Sequence, residues 1–245
     1  MNGLATIWLI ARRELAAYFA SLSGYVIMAA YLLVSGLLFN TFAVGSEPRL
    51  SQEVLEQFFY FSSGMAMVSG ILLAMRLIAE ERQMHTLVLL RTAPVTERQV
   101  IWGKFLSATL FLALALALSL YMPALVFLHG KVSLLQIATG YLGLLLIGAA
   151  CISITLLASV WSPTQLIAGV VGGLLVALLL ICWLLGRVTE EPLKEFFVYL
   201  ALHNLHFRTF STGTLHLRDV VYYVGVIVVV LEAATRSLAS WRWRE

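Results

Sequence analysis

Charged residues are scarce in this sequence. Asp, Glu, Lys and Arg make up 12% of the 245 residues, whereas hydrophobic residues make up 61%. A soluble domain carries about 25% charged residues, and a chain of this size cannot cover so much apolar surface with so few charges. The composition therefore excludes a soluble enzyme and indicates an integral membrane protein.

Cysteine is also scarce, and its two positions exclude two classes of site. Cys151 and Cys182 both lie inside apolar runs, so they provide neither a disulfide framework nor a cysteine-rich metal site. The formal net charge is +3. Because the basic residues concentrate beside the apolar runs, we expect membrane lipids rather than nucleic acid as their partner.

The sequence motifs of hydrolases and nucleotide-binding proteins are missing as well. The sequence has no phosphate-binding Gly-Lys-Ser/Thr loop, no His-Glu-x-x-His and no Gly-x-Ser-x-Gly, so we expect no catalytic residue, no cofactor site and no ATP hydrolysis by this chain. His203 and His206, with His216 nearby, raise a metal site. Since Glu195 is the nearest acid, histidines beside interfacial aromatics are the favoured interpretation, and we predict no metal site.

Six apolar runs are present, and each is long enough to cross a bilayer, which takes about 20 helical residues. They predict an all-α membrane protein in which residues 1–245 form a single domain. Glu232 and Arg236, one turn apart in the last run, predict a buried ion pair inside the membrane. The near absence of other charges there disfavours an ion-coupled transporter. The predicted spans are residues 22–44, 58–78, 105–128, 134–160, 165–185 and 219–239.

Glycine pairs and the distribution of basic residues give two further expectations. Gly140 with Gly143, and Gly169 with Gly173, are weak signals for helix packing or dimerisation. With six spans, ten Lys and Arg residues lie on the side of the termini and six on the other side. The positive-inside rule then predicts that both termini are cytoplasmic.

Two segments outside the spans have the pattern of surface helices. In residues 4–21 the apolar side chains recur on one face, with Thr6 and Arg13 opposite, which favours a helix lying in the membrane interface over a frayed tail. Residues 186–218 are rich in aromatic residues, and Pro192 follows two acidic residues. We expect this external segment to form a re-entrant or surface helix. The apolar face of the first segment comprises Leu4, Ile7, Trp8, Ala11, Leu15, Tyr18 and Phe19, with Leu22 just beyond it.

Residues 79–104 form the one substantial polar stretch between spans on the predicted cytoplasmic side. Glu80 and Glu81 begin it, Pro94 forces a stop, and Thr96 with Gln99 predicts a capping box that starts the next helix. Docking to a cytoplasmic partner and a solvated hairpin are both compatible with this spacing. The amphipathic stripe in this stretch comprises Met84, Leu87, Val88 and Arg91.

Three stretches of the sequence carry a further signal: the run from Arg76 to Lys104, Ala11-Arg-Arg-Glu-Leu-Ala-Ala-Tyr-Phe-Ala-Ser21, and Phe210-Ser-Thr-Gly-Thr-Leu-His-Leu-Arg-Asp-Val-Val-Tyr222. These stretches resemble the ABC-2 type permeases, in particular their gliding-motility-associated branch. The resemblance implies the six-helix fold of an exporter-like (type V) permease in a bacterial inner membrane. It also implies a dimer with a second or homologous permease, driven by a separate cytoplasmic ATPase that binds ATP and Mg²⁺.

The resemblance also assigns a coupling helix that docks on the ATPase. This sequence departs from the usual Gly-Thr-Leu-Glu at His85-Thr86-Leu87-Val88, and Arg91 stands where an apolar residue is expected. An accessory membrane protein with a large external domain is a further implied partner. The residues to which the coupling role falls are Glu80, Glu81, Met84, Thr86, Leu87, Leu90, Arg91, Thr92 and Pro94, followed by Gly103 and Lys104.

Two functions of different class fit this sequence. In the first, the chain lines a path for export of a lipid, a polysaccharide or a peptide. In the second, it passes ATP-driven motion to external partners as a mechanical or scaffold subunit and transports nothing. The sequence does not distinguish them.

Overall fold

The computed structural model describes residues 3–44, 50–86, 95–129 and 132–241, and these ranges contain helices and no strand. This confirms the all-α prediction. The helices are α1 (Gly3–Ala20), α2 (Leu22–Leu38, continued by a π-helical turn, Phe39–Val44), α3 (Ser51–Ala74), α4 (Ala79–Gln83), α5 (Glu97–Leu118), α6 (Tyr121–His129), α7 (Leu134–Trp161), α8 (Gln165–Val188), α9 (Leu193–Leu200), α10 (His206–Ser211) and α11 (Leu217–Trp241).

Short polar residues set the starts of the long helices. The side chains of Ser21, Ser133 and Thr164 each accept a hydrogen bond from a backbone N–H in the first turn of α2, α7 and α8. At the start of α5, Thr96 and Gln99 form the predicted reciprocal capping box. These caps satisfy backbone donors that have no partner within the helix.

Among the described residues, five elements are long and apolar enough to cross a membrane: Leu22–Val44, Ser51–Gln83, Glu97–Leu128, Leu134–Trp161 and Gln165–Val188. They cover the first five predicted spans, although the second and third begin earlier than predicted because their helices extend past the apolar runs. The sixth predicted span lies within α11, whose 25 residues rise about 37 Å and exceed the thickness of the hydrocarbon core.

Helix α7 occupies the centre of the bundle. It packs against α3, α8, α5 and α11, and 83% of its most apolar window is buried, compared with 22% for α2 and for α8. The central helix is therefore covered by protein, whereas α2 and α8 present most of their apolar surface outward.

The third span is broken in two. Helix α5 ends at Leu118 and α6 begins at Tyr121. Pro123 explains the break, because proline has no N–H to bond the carbonyl of Ser119 four residues earlier, and its ring clashes with that carbonyl. The turn is stabilised by Met122 N–H, which donates to Ser119 O at 3.1 Å, and by a 3.0 Å contact between Ser119 Oγ and the Tyr141 hydroxyl.

Helix α1 packs along α5, which corrects part of the predicted amphipathic pattern. Thr6, placed on the polar face by the sequence, is buried, while Leu4 and Trp8 of the predicted apolar face are exposed and so remain accessible to the membrane interface. The covered face is set by contact with α5 and not by the membrane interface alone. At the crossing, a Cβ on Gly103 would stand 2.8 Å from Ile10, so glycine permits the close approach.

The predicted external segment forms two short helices over one end of the bundle, which we call the His206 end. Helix α9 packs on the last turns of α8, where a Cβ on Gly186 would meet Val198. Helix α10 packs on α7 and buries Phe207 and Phe210. The opposite end, where α1, α4 and the start of α5 meet, is called the Lys104 end.

The four predicted packing glycines have different surroundings. A Cβ on Gly140 would meet the Phe59 ring, and one on Gly143 would meet Phe210, so both serve packing within the chain. A Cβ on Gly169 would meet Met75, whereas one on Gly173 would have no atom within 4 Å.

Candidate coupling site

Four charged residues from three elements meet at the Lys104 end. Lys104 Nζ lies 2.8 Å from Glu81 Oε1 and 3.2 Å from Glu14 Oε1. Arg13 Nη2 lies 2.8 Å from Glu14 Oε1 and 3.8 Å from Glu81 Oε1. We call Arg13, Glu14, Glu81 and Lys104 the charged cluster. It joins α1, α4 and α5, and in the sequence Glu81 and Lys104 stand on either side of residues 87–94.

Local sequence brings these groups together. Ile10, Glu14 and Tyr18 recur every four residues on α1, so they share the helix face that contacts α5. The close approach at Gly103 brings the next residue, Lys104, beside that face. Its side chain is 1% exposed, and a buried ammonium requires anionic partners. Glu14 and Glu81 provide them.

The two carboxylates that share Lys104 differ in their electrostatics, because burial outweighs the ammonium at Glu81 and raises the pKa of that carboxyl. Burial raises the pKa of Glu14, but Lys104 and Arg13 outweigh burial, so the net pKa is lowered. The hydrogen bond to Glu14 is the largest influence on Arg13 and raises the pKa of its guanidinium. Within the described residues, the second carboxylate oxygen of Glu81, Oε2, is buried without a hydrogen-bond partner.

A second ionic group lies beside the charged cluster. Arg76 Nε pairs with Glu80 Oε2 at 3.1 Å, its Nη1 donates to Ser23 Oγ at 2.7 Å, and its guanidinium lies 4.9 Å from the Tyr18 ring centroid. The Tyr18 hydroxyl donates to Leu73 O at 2.8 Å. These contacts fasten the corner between α1 and α2 to the end of α3.

These pairings involve two of the predicted coupling residues. Glu80 and Glu81 both pair inside the chain, and Glu80 remains 45% exposed. Of the other predicted coupling residues, Met84 is 68% exposed and Thr86 donates its hydroxyl to Glu81 O. The remaining predicted coupling residues, Leu87, Leu90, Arg91, Thr92 and Pro94, lie outside the described residues.

Ser159, near the end of α7, braces the turn between α3 and α4, and sequence reasoning missed it. Its Oγ accepts from Ile78 N–H at 3.1 Å and Ala79 N–H at 2.9 Å and donates to Met75 O at 3.1 Å. Arg82 Nη1 adds a bond to Ser162 O. A serine in an apolar helix carries no sequence signal for such a contact, because its partners are distant in sequence.

His85 has a backbone conformation that favours glycine. Its φ is 56°, in the left-handed region, where a residue with a Cβ is strained by about 1–2 kcal/mol. The permeases that the sequence resembles usually have glycine here. The departure from their pattern therefore falls at a position where the backbone itself favours glycine.

The His206 end holds a separate polar network. His206 Nδ1 lies 2.8 Å from Asp219 Oδ1 and its Nε2 lies 3.0 Å from Tyr199 O. His203 Nε2 contacts Ser63 Oγ at 2.7 Å. Sequence reasoning missed Asp219 as a partner because it considered acids only at ligand spacing. In the described ranges, no group of three His, Cys, Asp or Glu residues could hold a metal ion.

Glu232 and Arg236 lie close enough to pair, but the prediction that the pair is buried is wrong. Arg236 Nε and Glu232 Oε1 lie 3.5 Å apart, but the two side chains are 80% and 42% exposed. Both stand on the outer surface of α11, because α7 and α5 cover its other side.

Comparison with known proteins adds one finding. The family model described as ABC-2 family transporter protein matches residues 17–185, which is more than half of the chain. The match runs from the end of α1 to the end of α8 and includes Glu81 and Lys104, whereas Arg13 and Glu14 lie before it. No curated protein matches the sequence.

Proposed function

The chain belongs to the ABC-2 transporter family, and we propose that it is the membrane subunit of an exporter driven by a separate cytoplasmic ATPase. Family membership makes it a multi-pass membrane protein and a permease component of an ABC transporter, not itself catalytic. ATP and Mg²⁺ then bind to the ATPase, and the segment 84–96 is the part of this chain that contacts it.

The charged cluster is the observation that carries the coupling proposal. It connects both sides of the segment 87–94, through Glu81 and Lys104, and it connects them to α1 through Glu14. A displacement of that segment would therefore act on three helices at once. Buried ion pairs resist separation because an unpaired buried charge costs several kcal/mol, so the three helices would move together.

Topology and assembly follow from the same proposal. We place the chain in a bacterial inner membrane with the Lys104 end and both termini in the cytoplasm, as the distribution of basic residues indicates. The outward apolar surfaces of α2 and α8 would contact lipid or a second permease. Cysteines introduced at Ser51 and Thr212, in a chain without Cys151 and Cys182, should react with an impermeant reagent from outside. Reaction only after permeabilisation would reverse this topology.

The cargo in this proposal is a lipid, a polysaccharide or a peptide. The resemblance to the gliding-motility-associated branch, with its accessory membrane protein, supports the alternative of a mechanical subunit that transports nothing. Cargo that co-purifies with the complex and moves into vesicles on ATP addition would support export. ATP turnover without movement of any co-purified compound would support the mechanical alternative.

Substitutions in the segment 84–96 test whether it contacts the ATPase. The tagged chain would be purified from its native membrane with its bound ATPase, and ATP turnover would be measured. Leu87→Asp and Leu90→Asp should each reduce ATPase association by about 2–4 kcal/mol, the range for loss of an apolar anchor. Leu50→Asp is the control, because Leu50 is 71% exposed at the opposite end. Retention of association and turnover in both segment variants would make this segment a simple linker.

A further inference from the structure

A cleft at the His206 end lies between the first turns of α3 and helix α10. Its volume is about 280 Å³, and its walls include Glu56 and Tyr60 from α3, and Asn204, Phe207 and Arg208 from the other side. This is just below the range of about 300–1,000 Å³ typical of drug-sized ligands. The cleft therefore suits a group the size of a lipid headgroup.

The two walls of the cleft carry opposite charges that are not used inside the protein. In the part of the chain that the structure describes, neither Glu56 nor Arg208 has an ion-pair partner. They do not pair with each other across the cleft, although both line it. A ligand that carries both charges would satisfy both residues.

On each wall, a neighbouring side chain can bind the same part of a ligand as the charged residue does. Glu56 and Tyr60 are one turn apart on α3, so a carboxylate and an exposed aromatic ring share one face. An ammonium group is attracted by both. Asn204 stands four residues before Arg208 and lines the same cleft. A guanidinium and an amide can together bind the oxygens of a phosphate or carboxylate.

The cleft lies near the start of the predicted second span. Helix α3 begins at Ser51, so Glu56 and Tyr60 lie about 8–14 Å along it, on either side of residue 58, where that span is predicted to begin. Tyr60 is 55% exposed, as tyrosines at the membrane–water interface often are.

We propose that this cleft binds a zwitterionic phosphoethanolamine group, with the phosphate at Arg208 and the ammonium at Glu56. The group comes either from a phospholipid or from a free headgroup compound, and both have the chemistry that the two walls complement. The proposal does not depend on an ATPase or on transport.

Binding to the purified full-length chain in detergent tests the proposal by titration calorimetry, with heats from protein-free micelles subtracted. The probes are dihexanoyl phosphatidylethanolamine, glycerophosphoethanolamine and dihexanoyl phosphatidylglycerol. We expect both phosphoethanolamine compounds to bind more tightly than phosphatidylglycerol, which has no ammonium. Binding of the lipid alone would still support the site and would identify a lipid as the source. Equal binding of all three probes, or no binding, would overturn the proposal.

Variants separate the roles of the two walls. Arg208→Gln should weaken binding of phosphatidylethanolamine about tenfold, the loss of one charge-assisted contact. Glu56→Gln should weaken it similarly and should also narrow its preference over phosphatidylglycerol, because Glu56 selects the ammonium. The controls are Glu53→Gln and Lys194→Gln, exposed residues outside the cleft, and all variants would be checked for unchanged thermal unfolding. Unchanged affinity and preference in Arg208→Gln and Glu56→Gln would show that the cleft does not bind these probes.

Discussion

The two ends of the bundle hold buried charge in different ways. At the His206 end, His206 and Asp219 are both fully buried, and Asp219 Oδ2 also accepts from the Thr209 hydroxyl at 2.8 Å. Both ring nitrogens and both carboxylate oxygens therefore have a polar partner within hydrogen-bond distance. At the Lys104 end, one ammonium serves two carboxylates, one carboxylate oxygen has no hydrogen-bond partner among the described residues, and Arg13 is 63% exposed.

This difference separates a saturated network from an unsaturated one. A buried polar network in which every atom is bonded favours one arrangement and resists change. The network at the Lys104 end keeps its ion pairs and can accept one further hydrogen bond at Glu81 Oε2, which the described residues do not supply. The saturated network clamps the short helices α9 and α10 onto α11, whereas the unsaturated one lies beside the segment that we expect to meet a partner.

The largest predicted loss of stability comes from a substitution at the Lys104 end. Lys104→Met should reduce the free energy of unfolding by about 3–5 kcal/mol, because Glu14 and Glu81 would remain buried without their ammonium. Chemical unfolding of the purified chain would measure it. The triple variant Glu14→Gln/Glu81→Gln/Lys104→Met should recover most of the loss, since no buried charge remains. A Lys104→Met chain as stable as the parent would refute the role of the charged cluster.

A smaller loss of stability is predicted for a substitution at the His206 end. Asp219→Asn should cost about 2 kcal/mol, because it replaces a buried charge-assisted hydrogen bond to His206 by a weaker neutral one. Thermal unfolding would detect this loss. The matched control is Glu195→Gln, an exposed acid at the same end, which should leave unfolding unchanged. Equal effects of the two substitutions would argue against a clamp.

Glycine substitutions compare the packing of the two ends. Gly140→Ala, near the His206 end, would place a Cβ 2.3 Å from the rigid Phe59 ring and should cost about 1–3 kcal/mol. Gly169→Ala, near the Lys104 end, meets the flexible Met75 at 3.1 Å and should cost less than about 1 kcal/mol. Gly173→Ala is the open-surface control. A larger cost at Gly169 than at Gly140 would contradict the picture of a rigid His206 end.

The smallest effects concern pH, and the two ends should respond in different ranges. Burial lowers the pKa of His203 from its ordinary value of 6.5, so its contribution to stability is present above pH 6.5 and is lost as the pH falls. The pKa of Glu14 is lowered from 4.5, because its cations outweigh burial, so its contribution is present above pH 4.5 and is lost below it.

Single substitutions separate these two ranges. Unfolding temperatures would be measured from about pH 7.5 to about pH 3.5. His203→Asn should remove the loss of stability that begins below pH 6.5. Glu14→Gln should remove part of the loss that begins below pH 4.5. If neither variant changed the profile, these two groups would not contribute to the acid response.

The sequence predicted the helices well and their contacts poorly. Apolar runs and short capping residues are local signals, so the spans and the Thr96–Gln99 box could be read directly. The pairing of Lys104 with Glu14 and Glu81 could not be, because it depends on how three helices cross. Periodicity shows which face of α1 is apolar, but Thr6 is buried because α5 covers it. Likewise, nothing in the spacing of His203 and His206 indicates Asp219.

The break at Pro123 gives the third span a polar contact with the central helix. The span is interrupted between Leu118 and Tyr121, where Ser119 Oγ contacts the Tyr141 hydroxyl of α7. A displacement of α5 that begins at Lys104 would therefore reach α7 at that contact as well as the outer half of the span. The unbroken helix α7 reaches both Ser159 at one end and Gln136 at the other. Ser159 bonds Met75 O near the Lys104 end and Gln136 bonds Ser211 O at the His206 end. If the proposed coupling holds, α7 is therefore the element that would carry a displacement from one end of the bundle to the other.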